Sequence, residues 1–141
     1  MKIAVGCDHA GYVLKLMAMD HLALRPEVRL QDFGTYSEER VDYPDIAFDT
    51  ARAVSEGKAD CGVLFCGTGI GMAIAANKIK GIRAAACNDV ESARMTKGHN
   101  NLNVLTPLLK IWKSVLIPEK ISFAAAMALR VLGKPMYGAH W

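Results

Sequence analysis

Residues 61–71 constrain the fold more than any other stretch of the chain. Cys61 to Cys66 is an unbroken apolar run with the length and composition of a buried strand. Gly67, Gly69 and Gly71 follow at alternate positions, and an Ala/Ile-rich helical pattern continues from Ile70 to Ile79. A strand, a glycine turn and a helix start in succession make an anion-binding device. The first amides of a helix have no intrahelical partner, and glycine lets a ligand approach the backbone closely. Cys66 stands at the end of this strand, beside those amides, where a thiol is expected to ionise more readily than a free one. The spacing is not the G-x-G-x-x-G of a dinucleotide site, and the Lys-Ser/Thr of a nucleotide phosphate loop is missing. A nucleotide-binding module is therefore disfavoured.

Similar units repeat along the chain. Lys2–Cys7 reads as a strand ending in Asp8-His9, followed by a helix from about Tyr12 to Leu24 that Pro26 closes. Val28–Phe33 reads as a second strand, Gly34–Pro44 as a polar loop, and Asp45–Ser55 as a helix that Pro44 opens and Gly57 ends. After the central unit, Ile82–Cys87 reads as a strand, Val90–Lys97 as a helix ending at Gly98, and Leu102–Leu105 as a fifth strand. Strand and helix alternate with short connections, which predicts an α/β fold: a parallel five-stranded sheet with helices on both faces. Ligands of such sheets bind beyond the carboxyl ends of the strands. That rim collects Cys7-Asp8-His9, Gly34-Thr35, Cys66 to Gly69, Asn88-Asp89 and the chain after Leu105. From Lys120 to Leu132 the chain is strongly apolar at helical spacing, which points to a C-terminal helix used in oligomerisation.

At 141 residues the chain is expected to form a single domain, 1–141. A net charge of +3, with lysine and arginine scattered, argues against nucleic acid as a partner. No apolar run reaches the ~18–20 residues that span a membrane, and Met1-Lys2-Ile3 leads directly into a strand without a targeting segment. Cys7, Cys61, Cys66 and Cys87 form no Cys-x-x-Cys pair and read as reduced thiols, so the expected location is cytoplasmic. Cys61 and Cys87 read as core and Cys7 as structural. Cys66 divides evenly between a packing thiol and a reactive one. Asp8-His9 reads either as a helix cap with a surface histidine or as a ligand pair, and His99-Asn100 as a polar loop or a site pair.

Further motifs stand along the chain: Gly6-Cys7-Asp8-His9-Ala10-Gly11, Asp42-Tyr43-Pro44, Cys66-Gly67-Thr68-Gly69-Ile70-Gly71, Ala75-Ala76-Asn77-Lys78, Gly81-Ile82-Arg83 and His99-Asn100-x-x-Asn103. Taken jointly, they resemble the ribose-5-phosphate isomerase B / galactose-6-phosphate isomerase family. The match runs from Met1 to about Leu105. The resemblance implies a three-layer Rossmann-like fold and an aldose–ketose isomerase acting through an enediolate on a small sugar phosphate of the ribose 5-phosphate/ribulose 5-phosphate type. It implies no cofactor, no metal, and a homodimer or homotetramer with the site between subunits. Carried over by position, Cys66 resembles the base, Thr68 a residue assisting proton movement, and His99 the group that helps open the sugar ring. Gly67, Gly69 and Gly71 resemble amide donors to the enediolate, Asp8 and Asn100 resemble hydroxyl ligands, Tyr43 lines the sugar, and His9 lies near the phosphate.

From about residue 106 the chain departs from that pattern. Lys110 falls where the family carries a phosphate-clamping arginine, and Tyr137-Gly138-Ala139-His140-Trp141 lacks a second one. Lysine cannot make the planar two-pronged contact of arginine, and a charge-assisted contact is worth about 1.5–3 kcal/mol. The divergence therefore admits two alternatives: isomerisation of another sugar, phosphorylated or not, or a non-catalytic sugar-binding subunit of a hetero-oligomer.

Overall fold

The computed structural model describes residues 1–107. Its elements are β1 (Lys2–Cys7), a 3-10 turn (His9–Gly11), α1 (Tyr12–Ala23), β2 (Arg29–Asp32), α2 (Tyr43–Ser55), β3 (Cys61–Phe65), α3 (Ile70–Ala76), β4 (Ala84–Cys87), α4 (Val90–Asn100) and β5 (Val104–Pro107). The strands form one parallel sheet in the order β2-β1-β3-β5-β4. Both faces are covered, as the unalternating apolar runs of β1 and β3 require. Because side chains alternate along a strand, Ile3, Val5 and Cys7 of β1 with Val63 and Phe65 of β3 pack under α1 (Leu14, Ala18, Leu22) and α4 (Ala93). Leu64 and Cys66 turn the other way, with Val104 of β5, against α2 (Ala47, Ala51) and α3 (Met72, Ala75, Ala76). The expected α/β/α architecture is the one observed. The C-terminal helix expected over 120–132 and Lys110 lie outside the described residues.

Several boundaries differ from the sequence-based expectation by one to three residues, and three of them have a clear local reason. Helix α3 ends at Ala76, not Ile79, because the Asn77 side chain accepts from the Ala84 amide (2.8 Å) and donates to the Ala84 carbonyl (2.7 Å), imitating a further strand on the edge of β4. Helix α4 runs through Gly98 and includes His99 and Asn100. Asp89 and Ser92 form a capping box at its start, and Asn101 closes it in the left-handed conformation (φ 50°). Strand β5 is Val104–Pro107 and not 102–105, since Asn103 is occupied in tying the turn before β4, accepting from the Arg83 amide and donating to the Gly81 carbonyl.

Candidate active site

From β1 the chain crosses to β2 on one side, then returns over β1 to β3 on the other. The connections therefore diverge at the carboxyl ends of β1 and β3, and a crevice opens there. The Asp8 amide donates to the Phe65 carbonyl at 3.0 Å, which fixes the β1 rim directly against the β3 rim. Asp8 is buried and one of its carboxylate oxygens accepts the Gly11 amide at 2.9 Å, so it caps the turn into α1. His9 accepts the Val41 amide on Nδ1 at 3.5 Å, which leaves Nε2 to carry the proton of a neutral ring.

Across the crevice, Cys66 is 5 % exposed and its Sγ accepts the Gly69 amide at 3.0 Å. Gly69 has φ 73° and ψ −22° and precedes the first turn of α3; a Cβ at that position would lie 2.6 Å from the Thr106 carbonyl oxygen. Only glycine meets both conditions. Thr68 is exposed, and its hydroxyl accepts the Ile70 amide at 3.3 Å. Among the described residues no hydrogen bond engages the amides of Gly67, Thr68 or Gly71. Of the three glycine amides read from the sequence as one cradle, that of Gly69 is thus committed to the sulfur and those of Gly67 and Gly71 are open. Tyr43, at the start of α2, is half-exposed and its ring stands over Gly71, 3.1 Å from where a Cβ would sit.

The other three cysteines lie on the opposite, α1/α4 side of the sheet. Burial pushes the Cys7 and Cys61 thiols up to about 12 and raises Cys87 as well. Alkylation of the native protein near neutral pH is therefore expected at Cys66, with Cys7, Cys61 and Cys87 labelled only after denaturation; peptide mass mapping reads this directly. Labelling spread evenly over the four thiols would contradict it.

His99 and Asn100 do not join this group within one chain. They are exposed and end α4, which runs back toward the amino-terminal edge of the sheet. Val104, four residues after Asn100, pairs with Gly62, and Gly62 precedes Cys66 by four residues along β3, about 13 Å at ~3.3 Å per residue. Asn100 instead lines a groove with Arg83 and Thr96 beside the edge strand β4. Among the described residues no group of three or more His, Cys, Asp or Glu side chains is arranged to hold a metal ion, and no helix is long and apolar enough to cross a membrane.

Comparison with known proteins agrees with this fold. The Ribose/Galactose Isomerase family model matches residues 3–114. The chain is 51 % identical over 104 residues to ribose-5-phosphate isomerase B of Escherichia coli strain K12, covering 74 % of this chain and 69 % of that protein. It is 42 % identical over 105 residues to a galactose-6-phosphate isomerase subunit of Clostridium acetobutylicum, covering 74 % of this chain and 60 % of the relative. Among solved structures, ribose-5-phosphate isomerase B of Clostridium thermocellum superposes with a TM-score of 0.85 at 40 % identity, covering 99 % of this chain and 88 % of the other.

Proposed function

The chain belongs to the ribose/galactose isomerase family, and from that premise we propose that it interconverts an aldose phosphate and its ketose through an enediolate, with Cys66 as the base. The observation that carries this reading is the Gly69 amide aimed at Cys66 Sγ from 3.0 Å in the crevice between β1 and β3. The donor is already in place beside the sulfur that takes up the proton. Cys66 takes the proton from the carbon beside the carbonyl and returns it to the neighbouring carbon. As it does so, negative charge gathers on the carbonyl oxygen, where the open amides of Gly67 and Gly71 serve it. The exposed Thr68 hydroxyl exchanges the proton between the two sugar oxygens. Asp8 and Tyr43 contact sugar hydroxyls, and the Nε2 side of His9 faces the phosphate end. Ribose 5-phosphate is the substrate type favoured by the relatives' names. The loss of arginine at Lys110 favours a second reading, a substrate differing at its far end. Steady-state assays over tetrose, pentose and hexose sugars, with and without phosphate, decide between these, and equal failure on all of them would sink the isomerase reading.

His99 and Asn100 reach this chemistry only from a second copy of the chain, since α4 delivers them to the other edge of the sheet. On this reading the site is shared between two copies, in a homodimer or homotetramer with composite sites. Mixing Cys66→Ala chains with His99→Ala chains then leaves one intact site per mixed dimer, and activity is expected to return on mixing two nearly inactive proteins. No recovery after subunit exchange would place both residues' roles within one chain or deny one of them.

A further inference from the structure

Lys15 lies on the inner face of α1 and is 0 % exposed. Its ammonium donates to both carboxylate oxygens of Asp32, at 2.7 and 2.8 Å, and to the Thr35 carbonyl at 2.7 Å. The rings of Tyr12 and Tyr36 flank it, with centroids 5.7 and 5.0 Å from Nζ. Its three donors are matched by three acceptors, so the charge is fully satisfied. Yet this pair, with the lysine fully buried and the Asp32 side chain 24 % exposed, is a poor source of net stability, because desolvation of the ammonium offsets much of the attraction. What this pair does supply is position. Asp32 also accepts the Gly34 amide at 2.9 Å. Gly34 and Thr35 then bond to Cys7 in both directions, Cys7 N–H to the Gly34 carbonyl at 2.6 Å and Thr35 N–H to the Cys7 carbonyl at 2.8 Å. These two bonds extend β1 past the last residue of β2, and the next residue is Asp8. Further on, the Tyr36 hydroxyl donates to the Asp32 carbonyl at 3.2 Å, and the loop comes back to the crevice at Val41, on His9, and at Tyr43, on Gly71.

We propose that Lys15 is a positioning residue for the sugar-binding rim: clamped to Asp32 and Thr35, it sets Asp8 through the backbone of Cys7 and sets His9 and Tyr43 through the loop 36–43. The inference rests on the reading of Asp8, His9 and Tyr43 as substrate contacts. Lys15 does not touch the Cys66 turn, which is held from the other side, where Gly69 packs on Thr106. Removing the ammonium should therefore loosen binding more than chemistry.

The test compares wild type with Lys15→Met and with Lys15→Met/Asp32→Asn, which relieves the orphaned carboxylate. For the sugar phosphate that wild type turns over, KM is expected to rise about tenfold while kcat changes by less than about threefold. Lys15→Ala is expected to regain a low KM with added ethylammonium and not with ethanol. In native-state hydrogen exchange, the Cys7, Thr35 and Val41 amides speed up in the variants while the Gly69 amide does not. A purely structural role would instead lower kcat per total chain as the folded fraction falls, with KM and the pattern of exchange unmoved, and that result overturns the proposal. If wild type isomerises no sugar, phosphorylated or not, the isomerase reading fails; the exchange pattern then decides the clamp by itself.

Discussion

Cys66→Ala is expected to lower kcat by about 10²–10⁴-fold, the usual contribution of a positioned general base. The side chain is small and 5 % exposed, so little packing is lost, but its removal leaves the Gly69 amide without an acceptor at about 1–3 kcal/mol. Cys66→Ser separates the two effects. Serine keeps an acceptor near the amide and should hold stability close to wild type, while its hydroxyl ionises far too weakly to serve as base. The expected pattern is two variants equally inactive and unequally stable, read by steady-state kinetics beside thermal melts. Activity of either variant within about threefold of wild type would remove Cys66 from the chemistry.

Gly69→Ala is expected to cost at least about 2 kcal/mol, the sum of left-handed strain in a residue with a Cβ and a backbone overlap that cannot relax cheaply. At φ 73° that Cβ would sit 2.6 Å from the Thr106 carbonyl oxygen, so either the turn or the end of β5 must move. Since the Gly69 amide is what faces the sulfur, catalysis should fall along with stability. Gly67→Ala is the control, because its nearest neighbour would be the Ala10 Cβ at 3.9 Å. Its stability change should stay within about 0.5 kcal/mol. Urea denaturation of the two variants compares them directly, and equal stability would mean that the turn at Gly69 is not under the restraint described.

Much of this layout was legible from residue order. An unbroken apolar run marked β3 as a buried strand, the apolar run of residues 2–7 marked β1 as a strand, and Pro and Gly marked where several helices began and stopped. The boundaries that slipped were those set by side chains from elsewhere in the chain. Gly98 reads as a helix stop until the Asp89–Ser92 box and Asn101 are seen to frame a longer α4. Asn77 and Asn103 belong to motifs shared with the family, yet their side-chain amides bond the backbone of residues 81–84, at the entry to β4. Lys15 gave no signal at all. A lysine in a helix is ordinarily solvated, and only the arrival of Asp32 and Thr35 from another segment makes its burial tolerable.

By itself the sequence determined the alternation of strands and helices, the glycine turn at Gly67, Gly69 and Gly71, and the thiol placed before it, because each depends on local periodicity and backbone freedom. Tertiary structure alone decided the strand order, and with it the crevice between β1 and β3 that puts Asp8 beside Cys66. It also decided that the Gly69 amide faces sulfur, and that His99 and Asn100 lie on the far edge of the sheet from Cys66. Strand order and side-chain direction arise from packing between distant segments, whose energies no local pattern encodes.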